Sequence, residues 1–65
     1  MKSFDQFIEK LKRVSLITLC KDNIKRSIEY TENYGCTINS ITTNGNCSFV
    51  YNEYLYLLSL GFKES

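Results

Sequence analysis

The sequence predicts a small α+β domain in which residues 1–65 form one unit. Three features of the chain indicate this class: an amphipathic N-terminal segment with a capping signal, a β-prone segment around Asn44-Gly45, and an apolar C-terminal segment that ends at Gly61. Proline is absent, and no stretch repeats another. We therefore expect an N-terminal helix, a second helix, a β-hairpin around Asn44-Gly45 and a short C-terminal helix.

The N-terminal helix is predicted over residues 4–13. Ser3 and Gln6 have the spacing of a capping box, in which each residue bonds the backbone N–H of the other. Apolar residues recur at helical intervals, namely Phe4, Phe7, Ile8, Leu11 and Val14. This apolar side of the helix should face the core.

Residues 14–20 allow two interpretations. Their β-branched content suits a short buried strand, whereas the spacing of their apolar residues also continues a helical pattern into the following segment. Periodicity alone leaves both open. For the following segment we predict a helix over residues 22–34, which begins at Asp22 or Asn23 and ends at Gly35.

The hairpin is predicted from Asn44-Gly45, the dipeptide most favoured in two-residue β-turns. β-prone residues flank it on both sides, and this turn would pair residues whose numbers add to 89. One face of such a hairpin carries Ile41 and Val50. These two side chains need cover from a helix or from another chain.

The C-terminal helix is predicted over residues 53–60, with Asn52 as its N-cap and Gly61 at the position after its C-cap. In this ending Phe62 folds back onto Leu57. A strand running on from Phe49 to Leu58 is the alternative, because tyrosine is β-prone and the segment alternates in polarity.

The predicted C-terminal helix is apolar nearly all round, and a small subunit would leave part of it exposed. We therefore predict that the chain forms a homo-oligomer through this helix. The predicted self-association residues are Tyr54, Leu57, Leu58 and Phe62.

The three cysteines are predicted to be reduced. Their number is odd, and the N-terminal residues lack the apolar segment of a signal peptide. The predicted hairpin register also places Cys36 opposite Glu53, away from Cys47. These observations predict a cytoplasmic protein, in the host cytoplasm if a phage encodes it. No apolar run has the length of a membrane span.

The composition offers little basis for catalysis. The chain has no histidine, no glycine-rich phosphate loop and no CxxC motif, so we predict that it is not an enzyme and binds no metal or cofactor. Eight Lys and Arg against seven Asp and Glu give a net charge of +1, far from the basic balance of tight nucleic-acid binders.

Protein binding is the predicted activity. On the predicted second helix, Arg26, Tyr30 and Tyr34 are spaced four residues apart and would share one side. Arginine and tyrosine are enriched at the energetic centres of protein interfaces. With Ile41 and Val50 they make up the predicted partner-binding surface. The alternative is that the tyrosines cover the edge of the core while Arg26 pairs with a neighbouring glutamate.

The chain is thus predicted to be a small non-catalytic protein that inhibits or regulates a host system by binding a larger partner. It is rich in Asn, Ile, Lys, Ser, Thr and Tyr, as an AT-rich coding sequence would be. This composition suggests a phage or mobile-element accessory protein.

Nucleic acid and a small nucleotide are the two alternative ligands. The stretch IKRSIEYTENYGCTINSITTNGNCSFVY resembles the recognition helix, glycine and two-stranded wing of winged helix-turn-helix domains. The resemblance covers less than half of the chain and implies a nucleic-acid-binding regulator. The residues it implies are Lys21, Lys25, Arg26, Asn44 and Asn46. The third hypothesis is a protein that sequesters a small nucleotide, with Arg26 on a phosphate and Tyr30 or Tyr34 under the base.

Overall fold

Two helices lie on one face of a five-stranded antiparallel sheet. The computed structural model describes residues 3–39, 41–42 and 46–64. The elements along the chain are α1 (Phe4–Val14), β1 (Leu16–Lys21), β2 (Ile24–Thr31), β3 (Gly35–Ile38), β4 (Ile41–Thr42), α2 (Cys47–Ser59) and β5 (Lys63–Glu64). Across the sheet the strand order is β4-β3-β2-β1-β5. The predicted α+β class, with a helix near each end, is confirmed.

Helix α1 matches its prediction closely. The Ser3 hydroxyl accepts a hydrogen bond from the backbone N–H of Gln6, and the Gln6 side chain accepts one from the backbone N–H of Ser3. The helix ends at Ser15, whose φ of 67° is left-handed and whose N–H donates to the carbonyl of Leu11. After this left-handed residue the chain continues directly as β1, so the strand interpretation of residues 14–20 is the correct one.

The predicted helix over residues 22–34 is wrong, because this segment forms the turn after β1 and then strand β2. Lys21 pairs with Ile24, and the two residues between them make the turn. Asp22 has a φ of 53°, a left-handed conformation that Asp and Asn tolerate better than most residues. In β2 the residues Ile24, Arg26, Ile28 and Tyr30 alternate with polar ones and share the face toward the helices.

Gly35 does not end a helix, although it was predicted to do so. It has a φ of 70° and begins β3 after the turn that follows β2. Thr31 pairs with Gly35, and the Thr31 hydroxyl accepts a hydrogen bond from the N–H of Tyr34 within the turn. After β3, Asn39 also has a left-handed φ of 53°, and its side chain accepts a hydrogen bond from the N–H of Ser27 in β2.

A β-hairpin is present, formed by β3 and β4, but the strand predicted to return after Asn44-Gly45 is wrong because that segment is helical. The turn itself lies outside the described residues, but residues 47–51 are the first turns of α2. Strand β4 pairs instead with β3, where Thr37 lies opposite Thr42 and Ile38 opposite Ile41. The Asn-Gly signal was local, whereas a helical apolar pattern from residue 47 onward gains burial against the sheet.

Helix α2 therefore begins six residues earlier than predicted. Its N-cap is Asn46, whose side-chain oxygen accepts a hydrogen bond from the N–H of Phe49; Asn52, the predicted cap, lies within the helix. The predicted ending is confirmed. The N–H of Phe62 donates to the carbonyl of Leu57, and Gly61 has a φ of 102°, as in a Schellman motif.

A disulfide joins Cys36 in β3 to Cys47 in the first turn of α2, so the prediction of three reduced thiols is wrong. The prediction depended on the hairpin register, which put the two residues far apart. With residue 47 in a helix over β3, the two Cα atoms are 5.2 Å apart, within the range that a disulfide spans. Cys20 is a free thiol.

The core lies between the helices and the sheet. Its fully buried residues come from both helices and three strands: Phe7, Leu11, Leu19, Ile28, Cys36 and Val50. At one end an aromatic cluster joins the helices, with the Phe7 ring 4.7 Å from Tyr54 and 5.2 Å from Tyr51, measured between centroids. Each buried side chain of this size contributes about 1.5–3 kcal/mol.

Candidate protein-interaction surface

Helix α2 is fastened to the rest of the fold at both ends. The disulfide holds its first turn on β3. Near its C-terminus, the ammonium group of Lys21 donates a hydrogen bond to the carbonyl of Leu60, and the buried side of the helix presses Tyr54 and Leu57 into the core. The exposed side of α2 is therefore held in one orientation.

A hydrogen-bonded cluster further secures the helix. The hydroxyl of Tyr54 donates to one carboxylate oxygen of Glu64 at 2.5 Å, and the other oxygen forms an ion pair with Lys10 of α1. The pKa of Tyr54 lies well above its usual value, mainly because burial disfavours the charged phenolate. Glu64 raises this pKa further, because its carboxylate accepts a hydrogen bond from the protonated hydroxyl and its negative charge repels the phenolate. This cluster joins β5 to both helices.

One flank of α2 exposes large apolar side chains. Phe49 is 49% exposed, Tyr56 57% and Leu60 42%. At about 100° per residue, these three positions fall within roughly 40° of one another around the helix axis, and Glu53 lies beside them. We call Phe49, Glu53, Tyr56 and Leu60 the α2 surface.

The α2 surface is also poor in charge. Glu53 is the only charged residue among the 13 of α2. An exposed helix flank usually carries several charged side chains, which interact well with water. A contiguous apolar flank on a small protein is instead typical of an interaction site.

Lys21, at the end of β1, reaches the C-terminal end of the α2 surface. Ile24 is 43% exposed and lies directly across from Lys21, whose ammonium group reaches Leu60 at the end of α2. Arg26 is half-buried on the same side of the sheet, and its guanidinium donates to the carbonyl of Lys25. The cation of Lys21 therefore adjoins the C-terminal end of the α2 surface.

The predicted row of Arg26, Tyr30 and Tyr34 does not exist as a helix side. Arg26 and Tyr30 lie on β2 at either side of buried Ile28, while Tyr34 occupies the next turn and is 64% exposed. The Tyr30 ring packs against the core, with the Lys12 ammonium 5.5 Å from its centroid. Tyr30 thus covers the core edge, as the alternative interpretation expected.

Most residues predicted for self-association face inward. Tyr54, Leu57 and Phe62 are between 4% and 7% exposed, and Val50, predicted to bind a partner, is fully buried. Leu58 is 38% exposed. The apolar excess of this helix was thus predicted, but of the four residues predicted for self-association only Leu58 is exposed. The side chain of Ile41 lies outside the described residues.

The residues implied by the winged-helix resemblance do not form one surface. Lys25 lies on the sheet face away from the helices, Lys21 bonds to Leu60 on the opposite face, and Asn46 caps α2. Asn44 lies outside the described residues. Because the supposed recognition helix is strand β2, the resemblance does not extend to the structure.

Two depressions in the described surface include residues of α1. One is lined by Gln6, Glu9, Lys10 and Arg13, and the other lies beside the start of β1. Neither contains a residue predicted to bind a ligand. Among the described residues, no group of three or more Cys, Asp or Glu side chains is placed to hold a metal ion.

Within the described part of the chain, neither helix has both the length and the apolar content needed to cross a bilayer. No protein-family model matches the chain, and no curated protein or solved structure is significantly similar to it.

Proposed function

We propose that this chain is a non-catalytic interaction protein that binds a partner protein through the α2 surface. The observation that supports the proposal is the exposure of Phe49, Tyr56 and Leu60 together on one flank of a helix held at both ends. Burying apolar area contributes about 25 cal/mol per Å², and a preorganised helix loses little freedom when it binds. Tyrosine is also among the residues that contribute most at interface centres.

The inhibitory or regulatory role and the phage or mobile-element origin belong to this proposal. They rest on the size and composition of the chain. A small protein without catalytic groups acts on a larger system by occupying a surface that the system needs.

The predicted cytoplasmic location also belongs to the proposal, and the disulfide bears on it. Disulfides persist in oxidising compartments, and cytosolic thiols are kept reduced. Action in the cytoplasm would require the protein to work with Cys36 and Cys47 reduced. Counting free thiols in protein isolated from its native cell measures this directly: three correspond to the reduced form and one to the disulfide-bonded form.

The proposed function is tested by a charged substitution in the α2 surface. Tyr56→Glu places a carboxylate at its centre, and Tyr34→Glu makes the same change at the exposed turn after β2. Each protein carries a fluorophore at its N-terminus and is mixed with nuclease-treated extract of the native cell. We expect fluorescence anisotropy to rise for the unsubstituted protein and Tyr34→Glu, and to stay low for Tyr56→Glu.

Nuclease treatment removes nucleic acid as a source of the signal. Equal responses from Tyr56→Glu and Tyr34→Glu would contradict the proposed contact surface. Circular dichroism of each variant shows whether the fold is retained, which we expect because both tyrosines are more than half exposed.

A further inference from the structure

We propose that the disulfide between Cys36 and Cys47 is a redox switch for the α2 surface. With the bond formed, the first turn of α2 is held on β3 and Phe49 completes the surface. With the bond reduced, residues 47–49 leave the helix and Phe49 leaves the surface, whereas Tyr56 and Leu60 stay in place. This regulation rests on the proposed function, because the α2 surface is the site that it controls.

The first turn of α2 is a weak helix start in its own sequence. Its residues Cys47, Ser48, Phe49 and Val50 all belong to the weaker helix formers. The turn contains no acidic residue that would interact with the positive end of the helix dipole. Asn46 caps the turn, but its side chain bonds to Phe49 within the same turn and does not attach it to the sheet. The turn therefore depends on contacts outside itself.

Those contacts are few before Val50. Ser48 is exposed and Phe49 is 49% exposed, so neither side chain packs into the core. Cys47 is partly buried, and its sulfur is joined to that of Cys36, which is fully buried in β3. The disulfide is therefore the main attachment of the first three residues of α2 to the sheet.

The rest of α2 has attachments that involve no sulfur. Val50, Tyr54 and Leu57 are buried in the core. The ammonium group of Lys21 donates a hydrogen bond to the carbonyl of Leu60. Reduction leaves these contacts in place, so the release should stop at Val50.

The switch operates by thiol–disulfide exchange with a dithiol reductant. One thiolate of the reductant attacks the Sγ atom of Cys47, forms a mixed disulfide with it and displaces Cys36, which takes up a proton. The second thiolate of the reductant attacks the mixed disulfide and releases Cys47 as a thiol. Two electrons and the two thiol protons pass to the protein, and the reductant becomes a disulfide. A disulfide oxidant reverses both steps.

The position of Cys20 limits the switch to two states. Cys20 lies on the sheet face away from the helices, Cys36 lies on the face toward them, and β2 separates their strands. Exchange between Cys20 and the bond is therefore blocked in the folded chain. The protein has one disulfide form and one dithiol form.

The structural change is tested on pure protein by NMR, with Cα chemical shifts compared in oxidised and in reduced dithiothreitol. We expect residues 47–49 to lose their helical shifts on reduction, residues 54–59 to keep them, and reoxidation to restore them all. Ser48→Glu should keep residues 47–49 helical in the dithiol form, because glutamate is a better helix former and places negative charge at the helix N-terminus. Ser59→Glu makes the same change at the other end of α2 and should not rescue the first turn.

Three NMR results would overturn the switch. One is a first turn that stays helical after reduction, and another is the loss of helical shifts along the whole of α2. The third is a Ser48→Glu variant that rescues the first turn no better than Ser59→Glu.

The effect on binding is measured by fluorescence anisotropy in nuclease-treated extract that has been desalted to remove small thiols. We expect the dithiol form to need about tenfold more extract than the disulfide form, because losing one large apolar contact at an interface commonly weakens binding by about this factor. Ser48→Glu should bind equally in its two forms.

The two proposals fail in different ways. Equal binding of the two unsubstituted forms, with both still dependent on Tyr56, would contradict the switch and leave the proposed function standing. Unchanged binding of Tyr56→Glu would contradict the proposed function and, with it, the regulatory role of the disulfide. The NMR comparison decides separately whether the first turn responds to reduction.

Discussion

Glu64 connects three separate elements through one carboxylate. It accepts a hydrogen bond from the hydroxyl of Tyr54 in α2 and pairs with Lys10 in α1, while its own backbone lies beside Leu19 of β1. Tyr54 is 4% exposed, so its hydroxyl requires a partner inside the protein. A single residue near the end of the chain thus completes the packing of both helices.

The raised pKa of Tyr54 predicts a loss of stability in alkaline solution. Tyrosine in the unfolded chain ionises near its usual value of 10.0, whereas burial and Glu64 keep the folded hydroxyl protonated to higher pH. The contribution of this hydroxyl is therefore complete below pH 10 and is lost as pH rises above it, by up to about 1.4 kcal/mol per pH unit. We expect the free energy of unfolding of Tyr54→Phe to fall less steeply there.

Urea unfolding at a series of pH values measures this difference. Tyr56→Phe is the matched control, because Tyr56 is 57% exposed and should leave the alkaline slope unchanged. At neutral pH, Tyr54→Phe should cost about 1 kcal/mol for the lost hydrogen bond. Parallel pH curves for the protein and Tyr54→Phe would show that Tyr54 does not control the alkaline loss.

At the scale of elements, the first turn of α2 is held by two adjacent residues. Asn46 caps it through a hydrogen bond to Phe49, and Cys47 binds it covalently to β3. The rest of α2 has its apolar side against the core, and near its end the Lys21 ammonium bonds to the carbonyl of Leu60. The disulfide therefore attaches the first turn of the helix to β3.

Removing the disulfide should destabilise the protein by about 2–4 kcal/mol. The bond restricts the conformational freedom of the unfolded chain, because it joins residues 11 positions apart. The test compares the double variant Cys36→Ala and Cys47→Ala with the oxidised protein in urea unfolding. Hydrogen exchange at residues 47–50 should also accelerate in the double variant.

The free thiol provides the control for that measurement. Cys20→Ala removes a sulfur from the sheet face that the helices do not cover, and it should change stability by less than about 1 kcal/mol. A double variant as stable as Cys20→Ala would mean that non-covalent packing alone positions α2.

At the scale of the whole molecule, the fold has one core, on the side of the sheet that the helices cover. Both helices and three strands contribute to the same buried cluster. The opposite face carries mainly Thr, Ser and Lys side chains, and the described residues Thr18, Cys20, Lys25, Ser27 and Thr37 on it do not belong to the buried apolar cluster. Stability therefore depends on one side of the sheet.

Strand β1 allows a direct test of this asymmetry. Leu19 is fully buried toward the helices, whereas Leu16 is 51% exposed on the opposite face. We expect Leu19→Ala to cost about 2–5 kcal/mol, enough to unfold much of so small a domain. Leu16→Ala should cost well under about 1 kcal/mol.

Thermal unfolding followed by circular dichroism compares the two leucine variants on one scale. Similar melting temperatures for Leu19→Ala and Leu16→Ala would contradict a core restricted to the helix side of the sheet.

Predictions from the sequence succeeded where neighbouring residues make the decisive contacts. The capping box at Ser3 and Gln6 and the helix ending at Gly61 and Phe62 both appear as predicted. The predictions failed for residues 22–34, where the spacing of the apolar residues fits both a helix and a strand. In that segment, hydrogen bonds to β1 and β3 favour the strand.

The α2 surface could also be predicted from the sequence only in part. The sequence indicated an apolar C-terminal helix, but which flank is exposed depends on how the helix is rotated over the sheet. That rotation follows from the early start at Asn46, the bond to Cys36 and the burial of Val50, Tyr54 and Leu57. Phe49, Tyr56 and Leu60 could be identified as exposed only with those contacts known.

The sequence by itself determined the fold class, the limits of α1 and the C-terminal end of α2. These helix ends could be predicted because hydrogen bonds between residues a few positions apart define them. Only the tertiary structure decided that residues 24–31 form a strand and that α2 begins beside Cys47. A strand is stabilised by hydrogen bonds to other strands, and the first turn of α2 is bonded to Cys36 of β3 as well as capped by Asn46, so neighbouring residues alone determine neither.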